Sequence, residues 1–162
     1  MKTLLITVLL FWCADAFSQE PIKKNEVYAE LLGNGLLGSI NYSRALGNKP
    51  AFSVHAGLGV YGGDAHFSYP VGINYIIRIT KNDTFLDLGL GATYTKSNGL
   101  FYAVAKRSPG YIPKTEFVYL IPSLGLRSYT SKNFVWHVNF TPVITEGFEM
   151  LPSFGLGLGK RF

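Results

Sequence analysis

The chain ends on Phe154-Gly155-Leu156-Gly157-Leu158-Gly159-Lys160-Arg161-Phe162. Every second residue back from Phe162 is Lys160, Leu158, Leu156 and Phe154, and the positions between hold Arg161 and three glycines. Side chains that alternate with a period of two point to opposite faces of a strand. One face of this strand is therefore bulky and apolar, with one lysine, and the other is nearly bare. The bare face needs close neighbours to fill it. The apolar face needs a medium other than water.

Seven more stretches with the same period precede it, so the chain reads as Glu26–Gly33, Leu36–Ala45, Ala51–Tyr61, His66–Ile79, Thr84–Thr95, Glu116–Thr130, Phe134–Thr145 and Met150–Phe162. Turn chemistry separates them. Asn34-Gly35 predicts a two-residue hairpin turn of the kind that takes positive φ, with Glu30 opposite Ser39. Asn82-Asp83 predicts a second two-residue turn, which sets Arg78 opposite Asp87. Leu46–Pro50, Gly62-Gly63-Asp64, Ser131-Lys132-Asn133 and Glu146–Glu149 fill the other short gaps, and 96–115 is the one long loop. Proline cannot donate to a ladder. Pro70, Pro142 and Pro152 fall toward strand ends, whereas Pro122 falls mid-strand and predicts a bulge.

With 162 residues the chain is long enough for one domain, but only 15% of them are charged against about 25% in an average soluble domain. After the N-terminus no apolar run reaches the ~20 residues of a spanning helix. A membrane location then requires a closed barrel, because unpaired strand edges cannot face lipid. A soluble barrel of lipocalin type has the opposite polarity, with a solvated outer face rich in Lys and Glu. Here the less apolar faces hold Gly, Ser, Asn, Thr and His with isolated charges, which suits a cramped lumen. Tyr42, Phe52, Phe134 and Phe162 fall near one end of the strands and Phe67, Tyr69, Tyr94 and Phe140 near the other, as two aromatic girdles.

Residues 1–18 have the form of a secretory signal peptide: Lys2, an apolar core from Leu4 to Trp12, and small-residue cleavage sites after Ala16 or Ser18. Bulky Phe11 and Trp12 before Cys13 exclude a lipoprotein site, and residues 19–162 contain no cysteine for a disulfide or thiolate metal site. The net charge of +5 comes without any Lys/Arg run, so nucleic acid is not an expected partner.

The eight stretches, the signal segment and the terminal Phe162 together resemble the small bacterial outer-membrane β-barrels of the OmpA/OmpX type. The resemblance covers nearly all of residues 19–162. It implies an all-β fold, an eight-stranded antiparallel up-and-down transmembrane barrel in the bacterial outer membrane. It also implies short turns in the periplasm, longer loops outside and a monomer in contact with membrane lipids, including lipopolysaccharide. Its C-terminal strand ending at Phe162 would be handed to the barrel-assembly machinery.

Six residues, Glu30, Arg78, Asp87, Arg127, His137 and Arg161, fall on the inward faces and form a candidate polar network in the lumen. Paired charges that fill the interior are the expected arrangement, and an ion path is the alternative. His66-Phe67-Ser68 is similar to the His-x-Ser of lipid A deacylase barrels, but Tyr69 stands where that motif has Asn, Pro70 follows, and both polar residues face inward. In the long loop, Lys106, Arg107, Tyr111 and Lys114 make a basic, aromatic binding candidate for lipopolysaccharide phosphates or an external partner. No carboxylate dyad, metal-spaced histidine cluster or phosphate-cradling loop is present, so no catalysis, metal or cofactor is expected. The expected role is structural or loop-mediated binding. The alternatives are a lipid A-modifying enzyme and a narrow pore.

Overall fold

A computed structural model describes residues 23–47, 52–61, 66–79, 83–96, 116–144 and 150–162. The signal segment 1–18 and the loop candidates Lys106, Arg107, Tyr111 and Lys114 lie outside them. Ten ladder segments form one antiparallel sheet: β1 (Asn25–Leu31), β2 (Gly38–Leu46), β3 (Phe52–Tyr61), β4 (His66–Arg78), β5 (Thr84–Thr95), β6 (Phe117–Tyr129), β7 (Phe134–Phe140), β8 (Val143–Ile144), β9 (Met150–Leu151) and β10 (Phe154–Arg161). β8 continues β7 and β9 leads into β10, so the wall has eight staves. Each stave pairs with its sequence neighbours, and β1 closes the ring on β10 with Glu26 opposite Arg161 and Leu31 opposite Leu156. Asn25 and Phe162 exchange backbone hydrogen bonds at 3.1 and 2.8 Å, so both ends of the wall lie at one rim. That end is called here the terminal rim and the opposite end the distal rim.

The polarity is that of a barrel in hydrocarbon. Leu158 is 71% exposed and Leu156 53% exposed, with Leu88, Leu90, Ile40, Leu58 and Ile73 also on the outside. Glu26, Glu30, Asn41, His55, Asn74, Asp87, Arg127, His137 and Asn139 are buried within the wall. Two aromatic belts flank the apolar zone. Phe52 and Tyr75 touch at 4.7 Å near the terminal rim; Tyr69 with Tyr94 and Phe140 with Phe154 do so toward the distal rim.

Inward glycines let side chains cross the lumen. A Cβ at Gly125 would collide with the Val138 carbonyl oxygen and the Asn139 backbone, neither of which can move without breaking the ladder. Gly38 sits at the wall's edge, where the nearest atom to a Cβ is 3.8 Å away. Gly125→Ala is therefore expected to cost about 1–3 kcal/mol. Gly38→Ala should be neutral or gain about 0.4–1 kcal/mol from the unfolded chain. Urea unfolding in lipid vesicles reads both; equal costs would show that the collision does not matter.

Two turns and one strand depart from the sequence expectation. Glu30 does face Ser39, but positive φ falls on Leu32 and Leu36 rather than on Asn34 and Gly35. Leu32 is thereby turned outward instead of sharing the Glu30 face. The β4–β5 ladder closes with Ile79 N–H on Thr84 O, which sets Arg78 opposite Phe85 and Ile76 opposite Asp87. The expected Arg78–Asp87 register is thus wrong by two residues. A slip of two keeps every side chain on its own face, so alternation could not detect it.

The third departure is Pro122, where no bulge occurs. Leu90 pairs with Pro122 in unbroken register on one side. On the other, Leu124 faces Phe140 and Leu120 faces Ile144, so Pro122 falls opposite Pro142. Phe154 faces Phe140 and Leu151 faces Val143, which in turn sets Pro152 opposite Pro142. Three prolines lie in a row across adjacent staves. The bond from Thr130 N–H to Phe134 O marks the alternate pairs that exchange bonds between β6 and β7. Counting along the ladder, Pro122 and Pro142 occupy such a pair. Both of its bonds are missing, leaving a seam of about 13 Å between the pairs that flank it.

Candidate functional site

The lumen is filled by one connected polar network with a turn seated on it. Arg127, on β6, is its centre. Its Nη1 donates to Glu26 Oε1 at 2.6 Å and its Nε to Asp87 Oδ2 at 2.8 Å, so one guanidinium neutralises carboxylates from β1 and β5. The three side chains are at most 5% exposed. Asn74 donates Nδ2–H to Asp87 Oδ1 at 2.7 Å, which leaves its carbonyl oxygen to accept from His55 Nδ1 at 2.8 Å. His55 Nε2 is then free to accept from Asn34 Nδ2 at 3.0 Å. These three bonds fix His55 as the neutral tautomer with the proton on Nδ1. The chain closes where Asn34 N–H donates to Glu30 Oε2 at 3.1 Å. His137 Nε2 stands 3.4 Å from Glu30 Oε1 without hydrogen-bond geometry, and its ring meets Tyr28 edge-on at 4.9 Å.

Asn34 enters this network because the β1–β2 turn does not project from the distal rim. It folds into the barrel mouth, with Asn34 6% and Leu36 4% exposed. Side chains from four staves hold its carbonyls: Thr93 donates to Asn34 O, Ser68 to Gly35 O at 2.8 Å, and both Thr141 (3.3 Å) and Ser153 (2.8 Å) to Leu32 O. Gly59, Gly91 and Gly155 supply the space, since a Cβ on them would meet Gly35 O, Asn34 and Gly33 respectively. Leu36 joins Tyr61, Tyr119, Ile121 and Val143 in a small apolar cluster under the distal mouth.

Of the sequence-predicted lumen residues, Glu30, Asp87, Arg127 and His137 are brought together. Arg161 sits apart at the terminal rim with its guanidinium 4.2 Å over the Tyr129 ring. Arg78 is not in the lumen network. It pairs with Asp83 at 3.1 Å, with both side chains more than half exposed, because the register sets it opposite Phe85 at the terminal-rim end of the β4–β5 ladder. Glu26, Asn34, His55 and Asn74 complete the network. Parity placed His55 and Asn74 inward, but nothing in the sequence marks Asn34 as an interior residue rather than a turn. Ser68, the hydroxyl of the deacylase-like pair, is fully buried and gives its proton to the turn. Among the described residues no group of three or more His, Cys, Asp or Glu could hold a metal ion.

Closed ring, eight staves, apolar exterior and filled polar interior define a small β-barrel of outer-membrane type. No family model and no curated protein matches the chain. Among solved structures it is similar to the Yersinia pestis outer membrane protein Ail in a phospholipid bilayer nanodisc. That likeness has a TM-score of 0.51 at 16% identity, over 86% of this chain and 99% of that one. At that identity the two share a fold, that of an eight-stranded outer-membrane barrel.

Proposed function

We propose that the protein is a non-conducting barrel of the bacterial outer membrane whose role is structural or is exercised through its distal loops. One observation carries this reading. The β1–β2 turn is bonded into the lumen above the ion pairs of Arg127, an arrangement that supports a plugged interior. The terminal rim faces the periplasm, and the distal loops face outside. By composition, Lys106, Arg107, Tyr111 and Lys114 are the residues that would grip lipopolysaccharide phosphates or another external partner. The barrel works as a monomer among membrane lipids, after signal removal and assembly through its C-terminal strand. A lipid A-modifying role on His66 and Ser68 has the geometry against it, since a hydroxyl sealed inside the wall cannot reach lipid outside. Planar-bilayer recordings of the refolded protein are expected to give no unitary currents. A stable channel would overturn the proposal.

A further inference from the structure

We infer that the outer wall near the terminal rim holds a seat for one anionic glycerophospholipid, with an acyl chain in an apolar hollow and the phosphate on Lys160. The inference rests on the barrel's place in a bilayer. The hollow, open on one side and about 610 Å³ in volume, lies on the outer face of β7, β10 and β1, and its lining is almost wholly apolar. That volume is within the roughly 300–1,000 Å³ of pockets that take small ligands. Register explains the shape. Trp136, Leu158, Ala29 and Ile40 stand in one row across four staves. Leu158 and Ile40 project, at 71% and 66% exposed, and between them Ala29 offers only a methyl group.

One row nearer the rim come Phe134, Lys160, Val27 and Tyr42. Lys160 is the one charged residue that lines the hollow. It is exposed between apolar neighbours, and no hydrogen bond or ion pair joins it to another described residue. Glu26 and Glu30 are the only side-chain carboxylates on β1, β2, β7 and β10, and both are buried inside the wall. A lysine on a hydrocarbon face reaches for the headgroups, so its counter-ion has to come from the membrane. Arg44, exposed on the same face of β2 one row closer to the rim, adds to the positive field. A zwitterionic headgroup brings its own ammonium to such a place, whereas an anionic one brings charge that is uncompensated. A trough for a chain beside a cation for a phosphate fits the two parts of one phospholipid.

The test uses the full chain with Trp12→Phe, which leaves Trp136, in the lining of the hollow, as its one tryptophan. It is refolded into phosphatidylcholine vesicles containing a small fraction of lipid with brominated acyl chains, which quench tryptophan on contact. Brominated phosphatidylglycerol is expected to act as if it bound beside Trp136 about fivefold more tightly than brominated phosphatidylcholine, the effect of one lysine on an anionic headgroup. Lys160→Gln should abolish the preference, and so should Ala29→Leu, which fills the hollow; either keeps the proposal testable if the other fails to fold. Arg78→Gln, at the same rim on β4, should leave it intact. Equal quenching by the two lipids would overturn the seat but not the bilayer reading, and no quenching by either would overturn both. A preference that survives Ala29→Leu, or that Arg78→Gln also abolishes, would mean diffuse attraction to the rim and would overturn the seat. Quenching that falls as protein is raised against lipid would place a second copy of the chain on this face instead.

Discussion

Arg127→Met is expected to lower the stability of the folded barrel by about 3–5 kcal/mol, the cost of stranding buried charge. Glu26 and Asp87 would each keep a carboxylate inside the wall with its cation gone, and Asp87 is fully buried. The loss is thus a desolvation cost laid bare, larger than the worth of the pairs themselves. Adding Glu26→Gln and Asp87→Asn to Arg127→Met should recover most of it, because replacing a whole buried ion group is often near neutral. Arg78→Ala should cost less than about 1 kcal/mol, since its pair with Asp83 is in solvent. Urea unfolding in lipid vesicles, followed by tryptophan fluorescence, gives all three values. If the single change costs no more than Arg78→Ala, or the triple variant is no better than the single, Arg127 is not the centre of the lumen.

The second large effect belongs to the proline seam. In the double variant Pro122→Ala, Pro142→Ala, two backbone N–H groups appear opposite carbonyls that now lack donors. Each new ladder bond contributes about 1 kcal/mol, while each lost proline ring frees the unfolded chain by about 0.4–1 kcal/mol. Global stability should therefore change little. Local opening should change much more, because it answers to the bonds and not to the unfolded chain. Amides of Leu120, Leu124, Phe140 and Ile144, which flank the gap, are expected to exchange about tenfold more slowly in nanodiscs. Unchanged exchange would mean that those two bonds do not form and that the pairing inferred there is wrong.

The behaviour of the seam also explains why the sequence misled at Pro122. A lone proline in a strand leaves its partner's carbonyl without a donor, and a bulge relieves that conflict. Pro122 faces Pro142, so neither stave offers a donor and the ladder can skip the pair without slipping. The relief came from a residue twenty positions away. Local pattern does not contain that information.

Period-two alternation by itself determined the all-β class, the eight staves and the side that residues within the staves take, Leu32 at the first turn and Arg78 at the rim excepted, because a strand has only two faces and hydrocarbon admits only one kind of side chain on the outer one. It therefore placed Leu156 and Leu158 outside, and Glu30, Asp87, Arg127 and His137 inside. Register along a stave is a different quantity. Shifts of two residues leave the faces intact, so only the closed ring could set Ile76 rather than Arg78 against Asp87. The inward fold of Asn34 was decided in the same way. Glu30, His55, Ser68, Thr93, Thr141 and Ser153 lie on different staves, and only the closed wall points them all at one turn.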